Sequence, residues 1–465
     1  MVLYLQDMFE ADLPLSRIFK TWWPLAASWL LMGAELPFLT AILARLPHPE
    51  VNLAAYGGVV FPLALIIEAP IIMLLGASTA LSKDWQSYRL IRRFMMTTSA
   101  ILTTLHLLVA LTPLYNLVVE GMLGVPQEIV APARLGLIIM TPWTWSIAYR
   151  RFNQGVLIRF GYSNTVGVGT VIRLTADAVV LLLGYWIGSI PGIVVGAGAV
   201  SLGVISEAVY SGLVVRPVVK EHINPAPQLD PPLSWRQFFE FYIPLALTSL
   251  VFLLAQPIGS AALSRMPQAL ASLAAWPVIS GLVFMFRSPG VAYNEVVVAL
   301  LDQPRSTASL RRFTALLSVT TSLALLLTAA TPLAAWWFER VSALPPELLR
   351  LAKAGIWLAL PLPLMAVLQS WYQGTLLYGR ATRGVSESVF IYIASNAAFL
   401  SLGVAWGRVT GLFIGVVAMA LSMLLQTLWL GWRSRPLFRR LHQRDVGALI
   451  IPASQSIQER SSPTD

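Results

Sequence analysis

Several ionisable residues stand inside long apolar stretches of this chain: Glu35, Glu68, Arg134, Arg173, Asp177, Glu207, Arg287, Glu295, Lys353 and Glu387. A charge in such a setting is costly unless it faces a cavity or another charge. Burial raises the pKa of a carboxyl and a nearby cation lowers it, so an acid held between the two influences suits proton or cation exchange. Arginine and lysine in the same setting suit the reverse task, holding an anionic group. Arg173 and Asp177 lie one helical turn apart, which also permits a static pair. Thiol chemistry is excluded because the chain has no cysteine, and His48, His106, His222 and His442 show no metal-ligand spacing. No phosphate loop, HExxH, GxSxG or paired-acid motif is present. Enzymatic activity and a bound cofactor are therefore not expected, beyond a coupling ion, H+ or Na+.

The elements that must hold these charges are membrane helices. The chain has 465 residues, 57% hydrophobic and 12% charged, whereas soluble domains are about a quarter charged. Apolar runs of about 20 residues recur along its length, enough to cross a bilayer. Twelve spans are expected, at about 18–43, 52–81, 94–118, 128–150, 163–187, 191–215, 237–264, 269–300, 312–338, 348–373, 385–406 and 409–432. They read as helices because backbone polar groups in lipid must bond within their own segment. Met1–Lys20 is mixed polar and amphipathic, without a cleavable-signal pattern. Basic residues crowd every second loop, among them Arg17, Lys20, Lys83, Arg89, Arg92, Arg93, Arg150, Arg151, Arg159, Arg380, Arg383 and Arg433. The positive-inside rule then places both termini in the cytoplasm, with the protein multi-pass in the inner membrane. The net charge of +10 reflects that placement and does not imply nucleic acid.

The chain is also a duplication. Tyr242–Arg265 repeats Trp22–Arg45, with Pro24 on Pro244, Pro37 on Pro257 and Arg45 on Arg265, each 220 residues on. After a one-residue gap Thr112-Pro113 matches Thr331-Pro332, Pro142 matches Pro361, Gln154-Gly155 matches Gln373-Gly374, and Gly188, Gly192 and Gly196 match Gly407, Gly411 and Gly415. Six spans per copy give a parallel repeat about an axis along the membrane normal. The expected domains are an N-terminal lobe at 1–221, a proline-rich linker at 222–235, a C-terminal lobe at 236–442 and a polar, disordered tail at 443–465. The glycines spaced by four (Gly184 to Gly196, Gly403 to Gly415) read as packing within each lobe, with a dimer interface as the alternative; a monomer is expected.

The repeat sorts the charges. Arg134 matches Lys353, so a cation is kept in both copies. Glu68 falls on Ser288, Asp177 on Asn396, Glu207 on Gln426, and Glu35 on Ala255 with Gln256 beside it. A structural role would be wanted in both copies, whereas an ion-coupling site is needed once. Glu35, Asp177, Glu68 and Glu207 are therefore the ion-coupling candidates, the alternative for Glu35 being a buried structural pair with Arg134 or Arg173. Arg134, Arg173, Arg287, Asn294, Glu295, Lys353 and Asn396 are the candidates for a substrate cavity. Trp143, Trp145, Tyr149, Trp371 and Tyr372 read as an interfacial belt, with cavity lining as the alternative.

Several stretches resemble the MATE-like (MOP) superfamily of exporters: the paired Pro24 and Pro244 helices, the following LAAYG and LAAWP, and Gln-Gly after spans four and ten. Arg173-x-x-x-Asp177 is similar to an Asn-x-x-x-Asp in the fifth helix of one branch, where the Asp joins a first-helix acid in coupling. Here the Asn is Arg173, which suits sodium poorly, and Glu35 lies about one turn earlier than that family's acid. WWPLAASWLLMG, IPLALTSLVFLLAQPIGSAALSR and Tyr149–Gly167 resemble the progressive-ankylosis branch in particular. The resemblance implies a two-lobe, twelve-helix exporter of a small organic solute that works by alternating access, with partners confined to substrate and lipids. It implies an organic or phosphorylated anion as substrate. The alternatives are an organic-cation (multidrug) extruder and a lipid-linked precursor flippase.

Overall fold

A computed structural model describes residues 13–303, 305–379 and 381–458, without the side chains of 248 and 446–458. Arg380 and the ends of the chain lie outside the described residues. Among the described residues there is no strand, and ten helices are long and apolar enough to cross a membrane, eleven when a pair bent by 44° counts as one. The protein is an integral membrane protein. In chain order the helices at the first six expected spans are α1 (Leu15–Leu43), α2 (Pro49–Leu81), α3 (Trp85–Leu111), α4 (Gln127–Ile139 with Thr141–Arg159), α5 (Ser163–Ile187) and α6 (Gly192–Ile223), of which α4 is not among those ten or eleven. The second set is α7 (Trp235–Ser264), α8 (Ala269–Leu300), α9 (Ser306–Ala330), α10 (Pro346–Leu358 with Leu362–Tyr378), α11 (Thr382–Trp406) and α12 (Gly411–Asp445).

This is consistent with the twelve expected spans, with local differences. α4 is less apolar than the rest because its second half carries Arg150, Arg151, Asn153, Gln154 and Arg159. α4 and α10 both break beside the matched prolines Pro142 and Pro361. Proline offers no N–H and crowds the preceding turn, so each helix restarts there. Thr112-Pro113 and Thr331-Pro332 likewise end α3 and α9 before their expected ends. The chain then runs into short helices, Leu114–Leu123 and Pro332–Trp336 with Trp337–Val341. Beyond α12 the helix continues to Gln458, past the expected start of the tail, and 459–465 lie outside the described residues.

The buried apolar residues divide unevenly across the membrane. On the face opposite the termini, here the far face, one cluster joins both lobes, running from Leu43, Leu53 and Tyr56 to Leu263, Leu273 and Ile279. Towards the termini there are two clusters. One holds N-lobe residues such as Ile91, Phe152 and Val215 together with Phe238 and Tyr242 of α7. The other holds C-lobe residues such as Tyr293, Phe313 and Trp371 together with Leu13 and Ile18 from the start of the chain. The first helix of each lobe thus begins against the other lobe. Trp22 Nε1 donates to Pro289 O at 2.8 Å, and the matched Tyr242 Oη donates to Pro70 O at 2.5 Å. Burial of this kind is non-directional and stabilises roughly in proportion to area; here it fastens the lobes at the far face and leaves them separately packed at the other.

The glycines spaced by four act within lobes. A Cβ on Gly184 would collide with Val195 of α6, and one on Gly192 would lie 3.2 Å from Asn52.

Candidate functional site

A cavity of about 590 Å³ opens inside the N-terminal lobe. Five helices of that lobe line it: α1 with Glu35, α2 with Glu68, α4 with Arg150, Arg151 and Gln154, α5 with Arg173, and α6 with Glu207. The sixth wall is α8 of the other lobe, through Gly281 and Phe284. That wall comes close because glycine faces it from both sides. A Cβ on Gly33 would meet Phe284 at 3.2 Å, and one on Gly281 would meet Pro37 at 3.1 Å.

Most of the charges form one network, and Glu68 and Arg151 stand beside it. Arg173 holds both oxygens of Glu35 at 2.6 Å through Nη1, lies 3.9 Å from Asp177, and reaches Glu207 at 3.4 Å through Nε. Glu207 is fully buried, at 0% exposure, and also accepts from Arg150 at 2.5 Å and from Gln154 at 2.8 Å. Glu68 has Arg151 and Arg150 as its cationic neighbours, yet its Oε2 is buried without a hydrogen-bond partner. Both oxygens of Asp177 lack one as well. Such groups are rare in native interiors and expensive to leave unmet. With four carboxylates (Glu35, Glu68, Asp177, Glu207) and three guanidiniums (Arg150, Arg151, Arg173), the site holds one acid more than its cations. One proton or one monovalent cation neutralises that excess.

The matching positions of the C-terminal lobe repeat the geometry without the charge. Gln369 stands where Arg150 does and donates to Gln426, the match of Glu207, at 3.2 Å. Tyr392 replaces Arg173, and Asn396 replaces Asp177. Tyr392 and Asn396 line a cavity of about 70 Å³ with Gln256.

The expected site residues separate into groups. Glu35, Glu68, Arg173, Asp177 and Glu207 come together, and Glu35 meets Arg173 rather than Arg134. Arg134 is elsewhere: it donates to Ala110 O and Leu111 O at 2.9 Å and lies over the Tyr115 ring. There it satisfies carbonyls that the end of α3 leaves open, so the structure does not bring it to a substrate cavity. Lys353 and Glu295 are exposed on the outside of their helices. Glu387 pairs with Arg383 and Arg433. Among the described residues Asn294 donates only to Ser370 O, at 3.5 Å. Arg287 remains: it follows Phe284 by one turn on α8, Tyr392 is a titratable neighbour, and it makes no ion pair or hydrogen bond among the described residues, with Nε buried. Trp143 lines the cavity and Trp371 is buried against Phe438, so neither belongs to an interfacial belt.

Arg150 and Arg151 belong to the site although basic residues past a span read as loop markers, and Gln154 joins them through Glu207. The repeat carried the signal: Arg150 and Arg151 fall on Gln369 and Ser370, the same one-sided loss of charge that singled out the acids.

No protein-family model and no curated protein matches the sequence. Solved structures do match in fold, and they are MATE-like, MOP-superfamily structures. An inward-facing multidrug resistance MATE family transporter aligns at TM-score 0.59 and 15% identity, over 89% of this chain and 98% of that one. A MOP superfamily transporter from Pyrococcus furiosus, described as having a binding pocket of reverse polarity, aligns at TM-score 0.58 and 16% identity, over 90% and 96%. The lipid II flippase MurJ in an inward closed conformation aligns at TM-score 0.59 and 14% identity, over 94% of each chain.

Proposed function

We propose that this protein is a secondary active transporter that moves a small organic solute by alternating access, coupled to protons through the N-lobe carboxylates. The observation that carries the reading is the buried cluster with one carboxylate in excess, present in one lobe and neutral in the other. An ion biases a two-state protein only through different affinity for the two states, and a cluster walled on one side by the opposite lobe changes its surroundings whenever the lobes rock. A proton fits better than sodium, since the guanidinium of Arg173 occupies the centre of the acids and opposes a second cation. Arg287, a half-buried cation with no ion pair among the described residues, favours an anionic solute. The basic face carrying the termini corresponds to the cytoplasm.

The test is transport in proteoliposomes with an imposed proton gradient, comparing organic anions with organic cations. Glu35→Gln and Asp177→Asn should each abolish gradient-driven flux while the protein remains folded. Normal gradient dependence in both variants would refute the N-lobe assignment. Movement of a lipid-linked precursor, with no flux of soluble solutes, would transfer the reading to a flippase.

A further inference from the structure

The matched arginines Arg45 and Arg265 take no part in the cavity, yet each crosses between the lobes at the far face. Arg45, after α1, donates through Nη1 to Val341 O at 2.7 Å and through Nη2 to Arg340 O at 2.5 Å. Arg265, after α7, donates through Nη1 to Leu123 O at 2.8 Å and through Nη2 to Met122 O at 2.7 Å. Each guanidinium is also braced on its own helix, on Ala41 O and Ala261 O respectively, both at 2.7 Å. The carbonyls they seize end two wide-turn helical segments, Leu117–Leu123 and Trp337–Val341. A helix leaves its last carbonyls without internal partners, so each segment presents a ready acceptor to the forked donor of arginine. The chain then turns away at Gly124 and Ala343, matched positions that both have positive φ, 66° and 49°.

We propose that Arg45 and Arg265 are a reciprocal pair of latches that holds the far face closed, and that both must release in each transport cycle. This rests on the alternating-access reading above. Three features suit a latch rather than a permanent tie. Both arginines are exposed, so water can replace the carbonyls when the face opens. Neither has a carboxylate partner among the described residues, so release strands no buried charge. The two are related by the repeat axis, so one rocking motion stretches both.

The chain has no cysteine, which allows spin labels at Glu128→Cys and Glu347→Cys, exposed matched positions in the first turns of α4 and α10. In lipid nanodiscs the native arginines should give a predominantly short far-face distance. Arg45→Gln with Arg265→Gln should raise the ratio of long to short distances by about tenfold or more, and each single change should raise it less. An unchanged distribution in the folded double variant overturns the proposal. If that variant does not fold, Arg45→Lys with Arg265→Lys keeps the charges but loses the forks and must still lengthen the distance; no change there overturns it equally. The readout needs neither solute nor gradient. A shift in distance in a protein that transports nothing would uphold the latches and sink the transport reading; gradient-driven flux with unmoved distances would do the reverse.

Discussion

Glu207 is where the N-lobe network converges, and its worth follows from what surrounds it. Arg150, Arg173 and Gln154 all point to one carboxylate that solvent does not reach. Glu207→Ala leaves two guanidiniums facing each other with no shared counter-charge. Removing one partner of a buried pair costs about 3–5 kcal/mol, so a clear fall in the thermal midpoint is expected in detergent solution. Gln426→Ala at the matched position frees only neutral amides and should cost about 1–3 kcal/mol. Equal losses at the two positions would mean that charge contributes nothing to the N-lobe cluster. The one-sidedness of these acids was legible in the sequence, because the duplication supplies its own comparison. Their geometry was not: one residue pattern allows Glu35 to meet Arg134 or Arg173, and only the packing of α1 on α5 decides between them.

At the scale of elements, α5 and α6 are held at a distance that Asp177 requires. A Cβ on Gly203 would run into the Asp177 carboxylate and lie 3.0 Å from Arg173 O. The matched position in α12 is Ser422, and the match of Asp177 is the neutral Asn396, so the second lobe tolerates a side chain there. Gly203→Ala should destabilise the protein by about 1–3 kcal/mol, the range for overpacking a filled interior. Asp177→Ala should recover much of that loss in the double variant, and a double variant as unstable as Gly203→Ala alone would remove Asp177 as the cause. Chemical unfolding of the four proteins measures it. The spans were legible from apolar length, and their breaks at Pro142 and Pro361 from proline chemistry. The true ends of α3 and α9 were less so, because apolar residues continue past Thr112 and Thr331 into short helices that hydropathy alone does not separate from the spans. The crossing of α1 and α7 onto the opposite lobe has no local signal at all; it appears only in which residues share a core.

The whole molecule is asymmetric across the membrane although its two halves are alike. One apolar core and two arginine contacts close the far face, while the cores on the face of the termini are separate. The N-lobe cavity should therefore be reached from the side of the termini. Leu65 and Thr170 line that cavity, and the absence of native cysteine makes Leu65→Cys or Thr170→Cys a single reporter. A membrane-impermeant maleimide in sealed vesicles should label either from the termini side about tenfold faster or more than from the far side, the ratio that about 1.4 kcal/mol of bias towards the closed far face supplies. Equal rates from the two sides would mean that the shared core does not seal the protein. Adding Arg45→Gln and Arg265→Gln to the reporter should raise far-side labelling without altering the cavity itself. Because the two substitutions lie at the far face, outside the residues that line the cavity, a change in the side of access cannot come from local disturbance of the acids. It can come only from the lobes moving as bodies, which is the motion that ion coupling through a one-sided cluster requires.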